Sequence, residues 1–376
     1  MKKTNVIFLL LLLSFPAFVP AQYGLQSGLN MFRPEDVIVK QQVEYKEPGR
    51  TGANVLWDFS RLNVVNDEYE LVYSAYNDTV IIGTEHLTAY HYALQNDSLL
   101  LWGFENQTTK LRNVQPELLL KFPFHYGDTT YSYYYAHGKY GNRLELDAMG
   151  SLETVADSYG MMILPSKDTL KQVLRTRTLK YIAEDTRPIG DNYYEKMEHP
   201  LNLSSDSIRF RIQNDSVVFV VETFRWYEKG YRYPVFETVR SWEQYSGTAD
   251  YEFLATAFFY PPQEHYYLEE DADNLALLAN EENNVTDPWA GLNYDLYPNP
   301  VKNVNLNVEI YLPKNAQGVL LQLRNTMGLI VLDQNLGAYP EGMHSFQVDT
   351  WNLPVGNYIL DIWLDEKLIS EIIMKR

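Results

Sequence analysis

Period two, not the 3.6 of a helix, governs the apolar pattern over residues 22–262. Leu99-Leu100-Leu101-Trp102, Ile208-Arg209-Phe210-Arg211-Ile212 and Val217-Val218-Phe219-Val220-Val221 are short runs bounded by Asn, Asp, Ser and Gly, which predicts strands. A recurring unit opens several returns: Asn77-Asp78-Thr79-Val80, Asn96-Asp97-Ser98-Leu99, Lys167-Asp168-Thr169-Leu170, Ser205-Asp206-Ser207-Ile208 and Asn214-Asp215-Ser216-Val217. Asp and Asn close a turn on their own backbone, the hydroxyl caps it, and the next apolar residue starts a strand. These units are expected hairpin corners. The fold class that follows is all-β, with one or more β-sandwich-like modules in front.

Stability has to come from a core, because the chain has no cysteine and so neither disulfides nor thiolate metal sites. Its 376 residues, 45% hydrophobic and 14% aromatic, suffice for about two domains of roughly 100–200 residues. The net charge of -18 argues against nucleic acid or an anionic membrane as partner. No Lys or Arg lies between Arg240 and Lys302. Residues 263–292 therefore read as an acidic, solvated linker between a β-rich module over 22–262 and a terminal domain over 293–376. Asp271-Ala272-Asp273-Asn274 has the alternating carboxylates a hard cation wants, but Leu275 takes the third ligand place and no turn glycine follows. It reads as linker.

At the start, Lys2 and Lys3 precede the apolar run Val6 to Leu13, Phe15-Pro16 breaks it, and Val19-Pro20-Ala21 precedes Gln22. This is the pattern of a signal peptide over residues 1–21, cleaved after Ala21. A spanning helix needs about 20 apolar residues, which Pro16 denies it. With no cysteine to accept a lipid, release is expected rather than lipidation.

A search for chemistry returns little. There is no G-x-S-x-G elbow, H-E-x-x-H helix, P-loop or G-x-G-x-x-G after a strand. Of seven histidines only His86 and His91 are close, and a spacing of five puts them on opposite faces of a strand. The sequence therefore names no catalytic residue, no metal ligand and no cofactor. A carboxylate pair for glycoside hydrolysis leaves no local signature, so a secreted hydrolase of glycans or peptides stands as an alternative. Thirty tyrosines, clustered at Tyr131-Ser132-Tyr133-Tyr134-Tyr135 and at Trp226-Tyr227, Tyr231 and Tyr233, suit either half-buried strand positions or a sugar-stacking face. Trp57 and Phe59 flank Asp58, so both rings face one side while Asp58 turns to solvent or caps a neighbouring turn.

Two resemblances touch the body. Asp-Ser/Thr before an apolar residue resembles the O-glycosylation acceptor of exported Bacteroidetes proteins, with Thr79, Ser98, Thr129, Thr169, Ser207 and Ser216 as acceptors. The succession Gly52-Ala53-Asn54-Val55-Leu56-Trp57-Asp58-Phe59-Ser60, Leu120-Lys121-Phe122-Pro123 with Tyr126-Gly127-Asp128, Tyr159-Gly160-Met161-Met162-Ile163-Leu164-Pro165 and Val173-Leu174-Arg175 resembles an uncharacterised β module found ahead of sorting domains. It implies no catalytic residues.

From Asn293 onward, alternating runs at Val304 to Tyr311, Val319 to Arg324, Leu329 to Asp333, Ser345 to Val348, Leu353 to Leu360 and Leu368 to Met374 predict a compact immunoglobulin-like antiparallel sandwich. Tyr297-Pro298-Asn299-Pro300, Met327-Gly328, Leu353-Pro354 with Gly356 and Tyr358, and Lys375-Arg376 stand in that order. This set resembles the type A C-terminal sorting domain of the type IX secretion system, with Leu329 where the family has Arg or Lys. The resemblance implies passage through the periplasm, recognition by the outer-membrane translocon, and removal by a sortase. The body would then be released or attached to surface lipopolysaccharide. A surface binding or adhesion module for a glycan or protein ligand is the favoured function of the body, with a hydrolase and a structural surface-layer component as alternatives.

Overall fold

A computed structural model describes residues 24–190, 193–198, 201–245, 250–261, 288–302 and 304–376. The expected signal peptide, most of the expected linker with its 271–274 carboxylates, and His199 and His265 lie outside the described residues. The chain opens with β1 (Gly24–Leu25), α1 (Ser27–Asn30), β2 (Val37–Val43), β3 (Gly52–Asp58), β4 (Val64–Ala75), β5 (Val80–Glu85), β6 (Thr88–Gln95) and β7 (Ser98–Glu105). It continues with β8 (Thr109–Lys121), β9 (Phe124–His125), β10 (Thr129–Tyr140), β11 (Leu144–Ile163), β12 (Thr169–Pro188), α2 (Tyr193–Glu198), α3 (Ser205–Asn214), β13 (Val217–Glu228), β14 (Phe236–Tyr245) and β15 (Tyr251–Phe259). The terminal domain holds β16 (Asn293–Tyr297), β17 (Leu306–Leu312), β18 (Ala316–Asn325), β19 (Ile330–Tyr339), β20 (Gly342–Val348), β21 (Gly356–Leu364) and β22 (Lys367–Lys375).

The all-β class holds, and the body's sheet closes on itself. Its strands run β10-β8-β7-β6-β5-β4-β2-β15-β14-β13-β12-β11, and β10 also pairs with β11, which makes a ring of twelve strands. Closure removes free sheet edges. One end is plugged by the N-terminal segment. Asn30 donates to the carbonyls of Tyr231 and Arg232 at 3.2 and 3.3 Å, and Phe32 stacks on Tyr73 and meets Tyr92 edge-on at 4.7 and 4.8 Å. Glycine at position 83 opens the wall to those rings: a Cβ there would lie 2.9 Å from Tyr73 and 3.0 Å from Tyr92.

Register shifts near Ala156 and Gly160 bend the long β11–β12 hairpin, as bulges do, and its outer end pairs in parallel with β3. This flap packs on the outside of β13–β15. Trp57, Phe59, Met162 and Leu164 bury against Phe224, Trp226 and Phe236, each large side chain contributing on the order of 2–3 kcal/mol. Trp57 and Phe59 share a face as the alternation predicts, and Asp58 accepts the Ser60 N–H at 2.9 Å. Arg175 is fully buried beside them, forked onto Asp157 at 2.8 and 2.9 Å and facing Phe224 at 5.0 Å.

One segment departs from the expected pattern. Ile208 to Ile212 is not a strand but part of α3, and Ser205 to Ile208 is not a hairpin corner but its first turn. The Ser204 hydroxyl accepts the Ser207 N–H at 3.1 Å, which caps the helix. Over five residues the two periods coincide at Ile208 and Ile212, and the helix buries Ile208 and half-buries Ile212 against Tyr135, Met149 and Ala183 while Phe210 turns out. Asn214 to Val217 then links helix to strand rather than strand to strand.

The terminal domain is a sandwich of β16-β17-β20 against β19-β18-β21-β22. Leu306, Val308, Ile310 and Leu312 alternate inward to meet Leu321, Leu323, Leu360 and Ile362.

Candidate functional site

The terminal motifs come from separate segments and meet at one end of the sandwich. β18 ends at Asn325, whose register partner on β21 is Tyr358, whose partner on β22 is Ile373. The turn carrying Gly328, the Leu353–Tyr358 turn and the C-terminus therefore share an end. Gly328 has φ 81°, a left-handed conformation that favours glycine. The Asn325 side chain accepts the N–H groups of Met327 and Leu329, both at 3.0 Å, and the Tyr358 hydroxyl donates to the Pro354 carbonyl at 2.8 Å.

Tyr297 to Pro300 is zipped to the last strand. Asn299 donates to the Ile372 carbonyl at 2.8 Å and accepts the Met374 N–H at 2.9 Å. The Val301 N–H donates to Met374 and the Arg376 N–H returns to Val301. The Lys375 ammonium, buried, donates to the Lys302 carbonyl. Gly356 opens β21 opposite Lys375. Met327, Leu329 and Val355 stand exposed on the turns.

The six acceptor residues are not brought together. Thr79, Thr129, Thr169, Ser207 and Ser216 are exposed and Ser98 is half-buried. Thr79, Ser98 and Thr169 stand at hairpin corners, whereas Ser207 sits on α3 and Ser216 just after it.

The body carries a second candidate region that its sequence does not announce. On the outer face of the barrel, register aligns His137, Asp147 and Asp185 across β10, β11 and β12. Beside them lies a groove of about 570 Å³ under α3, where Tyr135, Asp147, Asp185, Arg187, Phe210 and Arg211 are among the lining residues. His137 Nδ1 lies 2.6 Å from Asp147 Oδ1, which also accepts the Tyr135 hydroxyl at 2.7 Å. Arg187 binds Asp147 and Glu145, each at 2.7 Å, and Arg211 binds Asp185 and Asp215 at 2.6 and 2.8 Å. Burial pushes the Asp147 carboxyl up, but the hydrogen bonds from His137 and Tyr135 outweigh it and hold it below the usual range. The Arg211 hydrogen bond lowers Asp185 likewise. Both carboxylates are thus ionised acceptors with partners. The signal that could have located this site is the charge inside strand runs, Glu145 and Asp147 on β11 and Asp185 and Arg187 on β12; the pairing itself is visible only in the register. Among the described residues no group of three His, Asp or Glu side chains could hold a metal ion.

The fold and the converging motifs define a β protein whose terminal sandwich gathers its motifs at one end. Residues 295–375 match the family model described as the Secretion system C-terminal sorting domain. The terminal sandwich is a type IX sorting domain, which interacts with the type IX secretion machinery and directs the chain to secretion or to the outer-membrane surface. A comparison with curated proteins finds no match for the chain.

Proposed function

We propose that the chain is exported through the periplasm behind a cleaved signal peptide, handed to the translocon by residues 293–376, and left outside the cell as a binding module. The motif residues Tyr297 to Pro300, Gly328, Leu353, Pro354, Gly356, Tyr358, Lys375 and Arg376 act together as the sorting determinant. A sortase cuts in the acidic stretch before Asn293, and the body is released or joined to lipopolysaccharide. The exposed acceptors, Thr79, Thr129, Thr169, Ser207 and Ser216, are positions where a glycan adds without disturbing the core.

The observation that supports binding over hydrolysis is the groove under α3. Its Asp147 and Asp185 are both held low by hydrogen-bonding partners, so neither serves as the protonated general acid that glycoside hydrolysis needs. Apolar Leu201 and Phe210 stand exposed on its rim, as suits contact with a ligand. The test is a pair of chains, full-length and lacking residues 293–376, expressed in a type IX-competent host. The full chain is expected at the surface or in the medium and the truncated one in the periplasm; equal export of both would refute the reading. Glycan and matrix-protein binding screens of the exported body test its binding role, and blank screens would count against it.

A further inference from the structure

We propose that the barrel lumen is a binding chamber for a neutral saccharide, a site separate from the outer groove. Eight strands make a barrel whose interior is filled by side chains or holds one small ligand, and diameter grows with strand number. Twelve strands enclose more room, and the segment from Leu25 to Asp36 seals one end, with Phe32 and Tyr233 in the seal.

Above that floor, three ion pairs line the wall. Lys40 meets Glu85 at 2.5 Å, Arg225 meets Glu237 at 2.5 Å, and Lys180 meets Glu117 at 2.8 Å. Their inward direction follows from alternation: Phe224 and Trp226 pack outward under the flap, so Arg225 and its register partners Thr176 and Glu237 face the lumen. The interior is not packed solid. The inward side chains of Arg225 and Lys180 keep 40% and 24% of their surface accessible, and inward Tyr90, Val221, Val239 and Phe258 are only half-buried. Access comes from the end opposite the plug, where Glu184 and Leu254 are exposed.

The wall chemistry selects the ligand. The three pairs are balanced among themselves, so an ionic ligand would have to strip a partner from one of them and leave a charge uncompensated, which is costly. Sugar hydroxyls can instead reach the accessible parts of Arg225, Lys180 and Glu85 as charge-assisted hydrogen bonds. The rings of Tyr90, Tyr92 and Phe258 offer apolar faces for the C–H side of a pyranose. Burial, with Glu85, Glu237 and Glu117 around it, raises the Tyr90 phenol, which keeps its hydroxyl a donor.

The test is a screen of the purified full chain on an array of neutral and acidic oligosaccharides, followed by calorimetric titration of the hits. Neutral glycans are expected to bind. Tyr90→Phe, which removes one hydroxyl and keeps the ring, should weaken them about tenfold, and Val239→Trp, which fills the lumen, should abolish binding. Tyr131→Ala on the outer face of β10 should leave affinity within about twofold, since it removes none of the lumen's hydrogen bonds. If Val239→Trp fails to melt cooperatively, the isosteric Tyr90→Phe decides alone. No neutral hit, a preference for acidic glycans, affinity indifferent to Tyr90→Phe, or loss of binding in Tyr131→Ala would each overturn the proposal.

Discussion

The Arg50 guanidinium lies over the ring of Tyr294, 4.0 Å from its centroid, and donates to the Tyr294 carbonyl at 3.1 Å. Arg50 belongs to the barrel side and Tyr294 to the first strand of the sorting domain. The same guanidinium binds the carbonyls of Ala53 and Asn54 at 3.0 and 2.8 Å and faces Glu371 at 3.6 Å, while the Tyr294 hydroxyl donates to Glu371 at 2.6 Å. With the single β3–β16 pairing of Val55 and Tyr294, this cluster docks one domain on the other. Arg50→Ala is expected to raise amide exchange across Asn293–Tyr297 roughly tenfold, in line with losing about 1–3 kcal/mol of charged hydrogen bonding. Arg50→Lys should fall between, because an ammonium lacks the planar fork. Unchanged exchange in Arg50→Ala would mean that the domains are held by something else.

Arg175 is the corresponding anchor inside the body. It ties Asp157 and Ser158 to the Pro48 carbonyl and lies among Trp57, Phe224 and Trp226. Arg175→Ala leaves the largely covered Asp157 carboxylate without its cation and should cost about 3 kcal/mol, read as a lowered urea midpoint. Adding Asp157→Asn should recover part of the loss; a single-variant loss under about 1 kcal/mol, the value of an exposed pair, would contradict the burial of the pair.

How far the sequence carries can be judged from particular residues. Strands at Leu99, Val217 and throughout the terminal domain were legible because alternation there is long and turns flank it. Ile208 to Ile212 misled because five residues cannot separate period two from a helical spacing of four; the cap at Ser204, outside the run, was the deciding signal. Closure of the barrel was not legible, since it rests on β2 pairing with β15 and β10 with β11, and nothing local marks a long-range register. The sorting motifs were legible as a set, but their meeting at one end follows from the β18–β21–β22 register. The His137–Asp147 pair and the lumen ion pairs were invisible for the same reason.

The Ser204 cap holds the first turn of α3. Ser204→Ala removes the acceptor for the Ser207 N–H and should cost about 1 kcal/mol. The loss should appear as faster exchange confined to Ser205–Asn214, with α3 lifting from the groove. A change spread over the whole barrel instead would mean that α3 is not an independent unit on its surface.

Glu228 makes the body lose stability as pH rises from about 4 towards 8. Burial pushes its carboxyl up to about 8, against the backbone N–H groups of Gln172 and Lys171, which lower it. A folded-state value above the unfolded one, ordinarily about 4.3, means that the folded chain holds this proton more tightly. The stability it brings is complete below the unfolded value and is lost as pH rises through about 8. Glu228→Gln keeps an oxygen for the Gln172 N–H and removes the titration. Thermal melts should therefore match the native chain at pH near 4 and exceed it at pH near 9; parallel melting curves at both pH values would refute the assignment.

Asn299 does for the last strand what a neighbouring strand would. Its amide donates to Ile372 and its oxygen accepts from Met374, so one side chain satisfies two backbone groups of β22, the strand whose end carries Lys375 and Arg376. Asn299→Ala leaves both to water and should cost about 1–2 kcal/mol, with exchange rising at Met374 and Arg376 ahead of the sandwich core around Leu321 and Leu360. Because this edge holds the entry segment and the terminus together, export of the variant should fall while its core melts at nearly the native temperature. Asn299→Asp separates geometry from chemistry, since it keeps the acceptor for Met374 and loses the donor to Ile372. Normal export with a frayed terminus in both variants would show that the joined edge is not part of what the translocon reads.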